Sequence, residues 1–247
     1  MIIKILLYIK MHDIPRFSVS NMPSSSFNIF LGKRRSGKSV LCEFLIKQMI
    51  DADMLDLVFL FSPTSAGFET VIKDTNFRFS SIEPLLDIIE NYKLMNEYNK
   101  LVNKSKKIKL RTAIIIDDFA VEMKGKNFKI LDDLAVRGRH YSYEPLALHF
   151  FILSQSLTKV PRVVRLNCDI LFFNAIASMK ELELILDEYF FVVSSSRDGK
   201  REGRRLYESL VQSEDFNFIG ILNFRQNCTK YSDYITVYKA DTRELNL

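Results

Sequence analysis

The sequence predicts an α/β fold: a mainly parallel sheet with helices on both faces. Apolar runs recur at 27–31, 55–61, 112–116 and 146–154 without polar alternation, the mark of strands buried on both sides. Between them lie segments whose apolar residues repeat at three- and four-residue steps, as amphipathic helices require. A glycine-framed, lysine-bearing loop separates the first run from the first helical segment.

The elements follow in order. MIIKILLYIK (1–10) is a short apolar run broken by Lys4, with no small-residue cleavage site after it, and it reads as a strand. Residues 11–26 are polar and punctuated by Pro15 and Pro23, which makes 1–26 an arm and linker ahead of the core. FNIFL (27–31) is the first core strand. From Lys38 the spacing of Val40, Leu41, Phe44 and Leu45 is helical, and LDLVFLF (55–61) is a strand stopped by Ser62-Pro63. Residues 81–103 form a long amphipathic helix, with Leu85, Ile88, Ile89, Tyr92 and Tyr98 on its apolar side. TAIII (112–116) is a buried strand, 128–141 a helix, 146–154 a strand and 160–168 a short helix. DILFFNAI (169–176) adds a strand and 178–190 a helix, closing a core of 27–190. Residues 191–247 change character: a basic, glycine-containing stretch precedes DFNFIGILNF and YITVYKA, which read as antiparallel strands of a C-terminal extension.

Gly32-Lys33-Arg34-Arg35-Ser36-Gly37-Lys38-Ser39 matches G-x-x-x-x-G-K-[ST] between a strand and a helix. The glycines let the backbone wrap its N–H groups around phosphates, and the helix N-terminus adds its positive dipole end. Lys38 is placed to reach the β- and γ-phosphates of ATP, and Ser39 to bind Mg²⁺. The strand at 112–116 delivers Asp117 and Asp118 to the sheet's carboxyl edge, where open α/β folds bind nucleotide. Asp117 then shares Mg²⁺ with Ser39, and Asp118 orients the attacking water. Gln155 ends the next strand, where an amide can contact the γ-phosphate or the water. Arg139 and Arg165 are candidates for an arginine offered to a neighbouring subunit's γ-phosphate, with Arg137 a weaker one.

Taken together, GKRRSGKS, IIIDD, RGRHY, an apolar strand ending in Ser-Gln, and V-P-x-V-V-R-x-N-C-D resemble the viral A32-like DNA-packaging ATPases. These form part of the FtsK–HerA branch of P-loop NTPases, in the ASCE/RecA-like division, found in large nucleocytoplasmic DNA viruses and their relatives. The resemblance spans roughly 27–176. It implies a homo-oligomeric ring that drives double-stranded DNA into a preformed capsid, with a capsid protein at the packaging vertex as partner. The implied locations are the viral factory in the infected-cell cytoplasm, and the virion. It carries roles to Lys38 and Ser39 for ATP–Mg²⁺, Asp117 for Mg²⁺, Asp118 for water and Gln155 as sensor. Many relatives have Glu where Asp118 stands, and no motif matches beyond about 191.

Charge refines the choice of partner. The chain of 247 residues carries a net charge of +5, with 47% hydrophobic and 26% charged residues, which suits a globular protein and permits a polyanion. Lys33, Arg34, Arg35 and Lys38 of that excess belong to the phosphate loop. Two further basic stretches are candidates for sequence-independent contact with DNA phosphates. One is Lys100, Lys104, Lys106, Lys107, Lys109 and Arg111; the other is Arg197, Lys200, Arg201, Arg204 and Arg205. No helix-turn-helix or zinc finger is visible, and no apolar run reaches the roughly 20 residues of a membrane span. Three cysteines without a CxxC pair fit a reducing, intracellular setting. Three readings stand apart by assay. A packaging motor hydrolyses ATP in response to duplex DNA, a helicase or phage-assembly ATPase unwinds strands or spans a membrane, and a nucleotide-gated capsid scaffold does not turn over.

Overall fold

The structure is a computed structural model that describes residues 14–64, 67–119, 126–141, 144–176, 178–190, 196–213, 217–225, 228 and 231–245. The strand expected at 1–10 lies outside the described residues. Among the described residues, eight strands form one sheet. They are β1 (Ser26–Leu31), β2 (Leu57–Phe61), β3 (Arg78–Phe79), β4 (Leu110–Asp117), β5 (Leu146–Ser154), β6 (Ile170–Phe173), β7 (Phe218–Leu222) and β8 (Ile235–Tyr238). Their order is β3-β2-β4-β5-β1-β6-β7-β8. The first six in this order pair in parallel; β7 joins β6, and β8 joins β7, antiparallel.

The uninterrupted apolar runs are explained by what covers them. All of β5 is buried, and its side chains alternate between two cores. Phe150 and Ile152 meet Phe27, Ile29, Ile114 and Ile116 on one face, while Phe151 and Leu153 meet Phe30, Ala113 and Ile115 on the other. Helix α1 (Lys38–Asp51) covers the second face with Leu41, Phe44, Leu45 and Met49. The first face is covered by α2 (Pro84–Leu101), α3 (Lys126–Tyr141), α4 (Arg162–Asn167) and α5 (Met179–Tyr189). Pro84 opens α2, where a missing N–H costs nothing. Tyr92 then pins that helix to the sheet, its hydroxyl donating to Thr112 Oγ1 at 2.5 Å and to the Ala147 carbonyl at 3.3 Å.

The basic stretch near 197–205 is helical. It belongs to an 18-residue helix, α6 (Ser196–Ser213), packed against α5. Gly203 permits the contact, since a Cβ there would stand 2.5 Å from Phe190 Cδ1. Lys200 pairs with Asp187 and Arg204 with Glu183, so steps of four on the two helices match in antiparallel register.

Candidate nucleotide site

Strand order decides the site. β5 lies between β1 and β4, so three carboxyl ends stand side by side: Leu31 leading into the loop, Asp117, and Ser154 leading into Gln155. One strand, β5, thus stands between the phosphate-loop strand and the acidic strand. The loop is tied to both neighbours, Gly32 N–H donating to Ser154 O at 3.3 Å and Lys33 N–H to Ala175 O at 3.2 Å.

Within the loop each glycine has a reason. Gly37 takes φ 85° and caps α1 without a side chain. The first bond of the helix runs from Leu41 N–H to Gly37 O at 2.9 Å, which leaves the amides of Lys38, Ser39 and Val40 without intrahelical acceptors. At Gly32 a Cβ would stand 2.6 Å from the Oγ of buried Ser36, so a larger residue there forces Ser36 to move. Arg35 holds φ 62° at the apex, and Lys33, Arg34 and Arg35 are exposed.

Lys38 Nζ donates to the carbonyls of Gly32 at 2.8 Å and Lys33 at 3.1 Å. Partial burial pulls its ammonium below the ordinary value, against the opposite pull of Asp117 and Asp118. Ser39 Oγ donates to Asp117 Oδ2 at 3.5 Å. Burial, with the charge of Asp118 added, pushes the Asp117 carboxyl up to about 6, while Lys38 and Ser39 oppose the rise. Asp118 adopts φ 58°, a left-handed conformation that costs a non-glycine residue roughly 1–2 kcal/mol. That turn sets its carboxylate against Gln155, whose Nε2 donates to both Asp118 oxygens at 3.0 Å. Lys38, Ser39, Asp117, Asp118 and Gln155 are therefore one constellation. Uncapped helix amides, a cation and a hydroxyl–carboxylate pair fit a magnesium-bound triphosphate in donor chemistry.

Solved structures share this architecture. Over 88% of this chain and 98% of its own, the genome packaging NTPase B204 from Sulfolobus turreted icosahedral virus 2, in complex with ATP-γS, superposes with a TM-score of 0.56 at 16% identity. The chain has the fold of a genome-packaging NTPase. B204, the DNA-packaging ATPase from Sulfolobus turreted icosahedral virus, gives 0.54 at 14% identity over the same shares of the two chains. The pCW3 conjugation coupling protein TcpA with ATPγS gives 0.57 at 15% over 90% of this chain and 62% of that one. The α/β fold that the sequence predicts, a mainly parallel sheet with helices on both faces, is thus the fold observed and is shared with these NTPases. No family model matches the chain, and no curated protein does.

The arginines divide. Arg165 does not reach outward. It is 8% exposed, its Nη2 meets Glu188 Oε1 at 3.0 Å, and its Nη1 donates to the carbonyls of Leu157 at 3.1 Å and Val160 at 3.3 Å. This side chain braces the turn after Gln155 within its own chain, which corrects its reading as a trans-acting finger. Arg137 pairs with Asp133 at 3.3 Å on the surface. Arg139 sits in the last turn of α3; the preceding Gly138 borders one hollow with Ser25, Asn167 and Asp169, at the sheet edge opposite the nucleotide site.

The basic clusters also divide. Lys100–Arg111 leads into the start of β4, and its last residue is about 20 Å of strand from Asp117. Lys100 pairs with Glu97 there, and Arg111 is clamped by Asp53 and Asp56. The second cluster rides on α6, which the sequence did not announce as a helix. Two further residues, which brace the loop after β6, were not foreseen. Asn174 N–H donates to Leu31 O at 3.2 Å, and Tyr207 Oη accepts from Ile176 N–H at 3.0 Å. Neither residue belongs to a motif, and no signal in the sequence marks them. No helix among the described residues is long and apolar enough to cross a membrane.

Proposed function

We propose that this chain is a Mg²⁺-dependent ATPase that translocates double-stranded DNA, as a homo-oligomeric ring, into a preformed viral capsid. The observation that carries the reading is the joined constellation on three adjacent strand ends, within a fold shared along almost the whole length of a packaging NTPase. Ser39 and Asp117 would hold Mg²⁺, which supplies charge neutralisation at the β- and γ-phosphates. Lys38 exchanges its two carbonyl acceptors for phosphate oxygens. Asp118 orients and polarises the water, and Gln155, already bonded to Asp118, senses whether the γ-phosphate is in place. Arg139 is the candidate for the neighbour's site, because the preceding Gly138 borders the sheet edge opposite its own loop. A capsid protein at the packaging vertex is the structural partner, and the viral factory the place of action.

The test is the ATPase rate with and without duplex DNA at several protein concentrations. The expected result is hydrolysis stimulated by DNA and steeper than linear in protein. Asp118→Asn should bind nucleotide and fail to turn it over. Normal turnover in that variant removes Asp118 from its role, and normal turnover in Lys38→Ala removes the assignment. A second reading, a translocase that moves DNA elsewhere than into a capsid, is favoured by the likeness to TcpA. DNA-stimulated hydrolysis without uptake into empty capsids selects it.

A further inference from the structure

The loop after β6 lies between two things that need to communicate. On one side it is bonded to the phosphate-loop strand and the loop itself, through Asn174 N–H to Leu31 O at 3.2 Å and Lys33 N–H to Ala175 O at 3.2 Å. The buried Asn174 side chain stiffens it, with Oδ1 accepting from Ala175 N–H at 2.6 Å. On the other side Ile176 N–H donates to Tyr207 Oη at 3.0 Å, and the Tyr207 ring stacks on Phe173 with centroids 6.0 Å apart. One residue step, from Ala175 to Ile176, thus separates a bond to the phosphate loop from a bond to α6.

Helix α6 is held to α5 over two turns. Gly203 seats it on Phe190 and Leu186, and the Lys200–Asp187 and Arg204–Glu183 pairs bind it to α5. Those pairs use the cations that face α5. Arg201 and Arg205, one helical turn apart, are exposed. The lysine cluster at the far edge of the sheet has no comparable bond to the loop.

We propose that α6 transmits the state of the phosphate loop to duplex DNA, with Tyr207 as the positioning residue that couples the two and Arg201 and Arg205 as contacts to the sugar–phosphate backbone. This deepens the DNA-translocase reading and rests on it. Displacement of Lys33 when phosphate enters the loop shifts residues 174–176, and the Tyr207 hydroxyl carries that shift to the helix. Phosphate contacts suit this role because they are blind to sequence.

The experiment uses the full chain, a mixed-sequence DNA duplex and two variants. Tyr207→Phe keeps the ring stacked on Phe173 and deletes only the hydroxyl. Its basal ATPase and duplex affinity should stay near those of the parent, while DNA stimulation falls by about fivefold or more, the low end of ordinary site-to-site coupling. Arg201→Ala with Arg205→Ala should keep basal hydrolysis, weaken duplex binding, and lower the slope of log affinity against log salt by about 2. Full stimulation in Tyr207→Phe, or an unchanged salt slope in the arginine variant, overturns the proposal while leaving the ATPase reading intact. A parent protein that hydrolyses ATP without any response to DNA overturns the translocase reading, and this proposal with it.

Discussion

Replacing Arg165 by Met tests whether this residue is a brace or a finger. Its guanidinium and the Glu188 carboxylate have side-chain exposures of 10% and 12% and are 3.0 Å apart. The variant leaves Glu188 buried without its cation and releases the carbonyls of Leu157 and Val160. Breaking one side of a buried pair costs about 3–5 kcal/mol, because an uncompensated charge stays inside. Against a total stability of roughly 5–15 kcal/mol this is a large fraction. For a chain of this size it lowers the melting midpoint by roughly 6–20 °C. Urea unfolding should show the loss at a constant m-value. Pairing Arg165→Met with Glu188→Leu should recover most of it, since the stranded charge is then gone. Hydrolysis should weaken in the single variant as the turn behind Gln155 loosens. The reasoning fails if Arg165→Met is as stable as the parent yet inactive, and regains activity when mixed with Lys38→Ala subunits. That pattern belongs to an arginine acting on a neighbour.

Further predictions rest on single features. Lys38→Ala should abolish hydrolysis and weaken nucleotide binding, read by turnover and by equilibrium titration with a fluorescent ATP analogue. Gly203→Ala gains about 1 kcal/mol of helix propensity but forces a methyl against Phe190, an overpacking cost of about 1–3 kcal/mol, so a net loss in thermal stability is expected. Burial holds the His149 imidazole down at about 4, with Nδ1 2.9 Å from Ser26 Oγ. The folded value lies below the unfolded 6.5, so the unfolded chain takes the proton first. Stability is complete above 6.5 and falls by about 3 kcal/mol as pH drops from there to 4. His149→Gln should flatten that part of a stability–pH profile.

Much of this was legible because parallel strands announce themselves. A strand covered on both faces must be apolar throughout, and β4 and β5 read that way without ambiguity. The phosphate loop was legible because its backbone conformation demands glycines at fixed offsets, and the acids because a buried strand has little other use for charge at its end. Strand order was not legible, yet it alone makes Gln155 a neighbour of Asp118. Helix α6 was missed for a physical reason. Its first turns are charged rather than apolar, and what holds them is a set of ion pairs with α5 and a glycine-sized contact, neither visible without the partner helix. Arg165 misled because sequence shows a charge but not its counterion, here Glu188 on α5.

The two ends of the sheet carry one more consequence. At one end β3 pairs over only two residues. At the other, β8 is flanked by the chain's own segment: Phe17 N–H donates to Val237 O at 2.9 Å and Val237 N–H to Pro15 O at 3.0 Å. The outer main-chain groups of β8 at Val237 are thus taken up by the chain itself. In the proposed ring this edge is not open to extend the sheet into a second copy, so contact there runs through side chains. Side-chain seams open and re-form more readily than a shared ladder, which suits the shifting contacts that the proposed translocation needs.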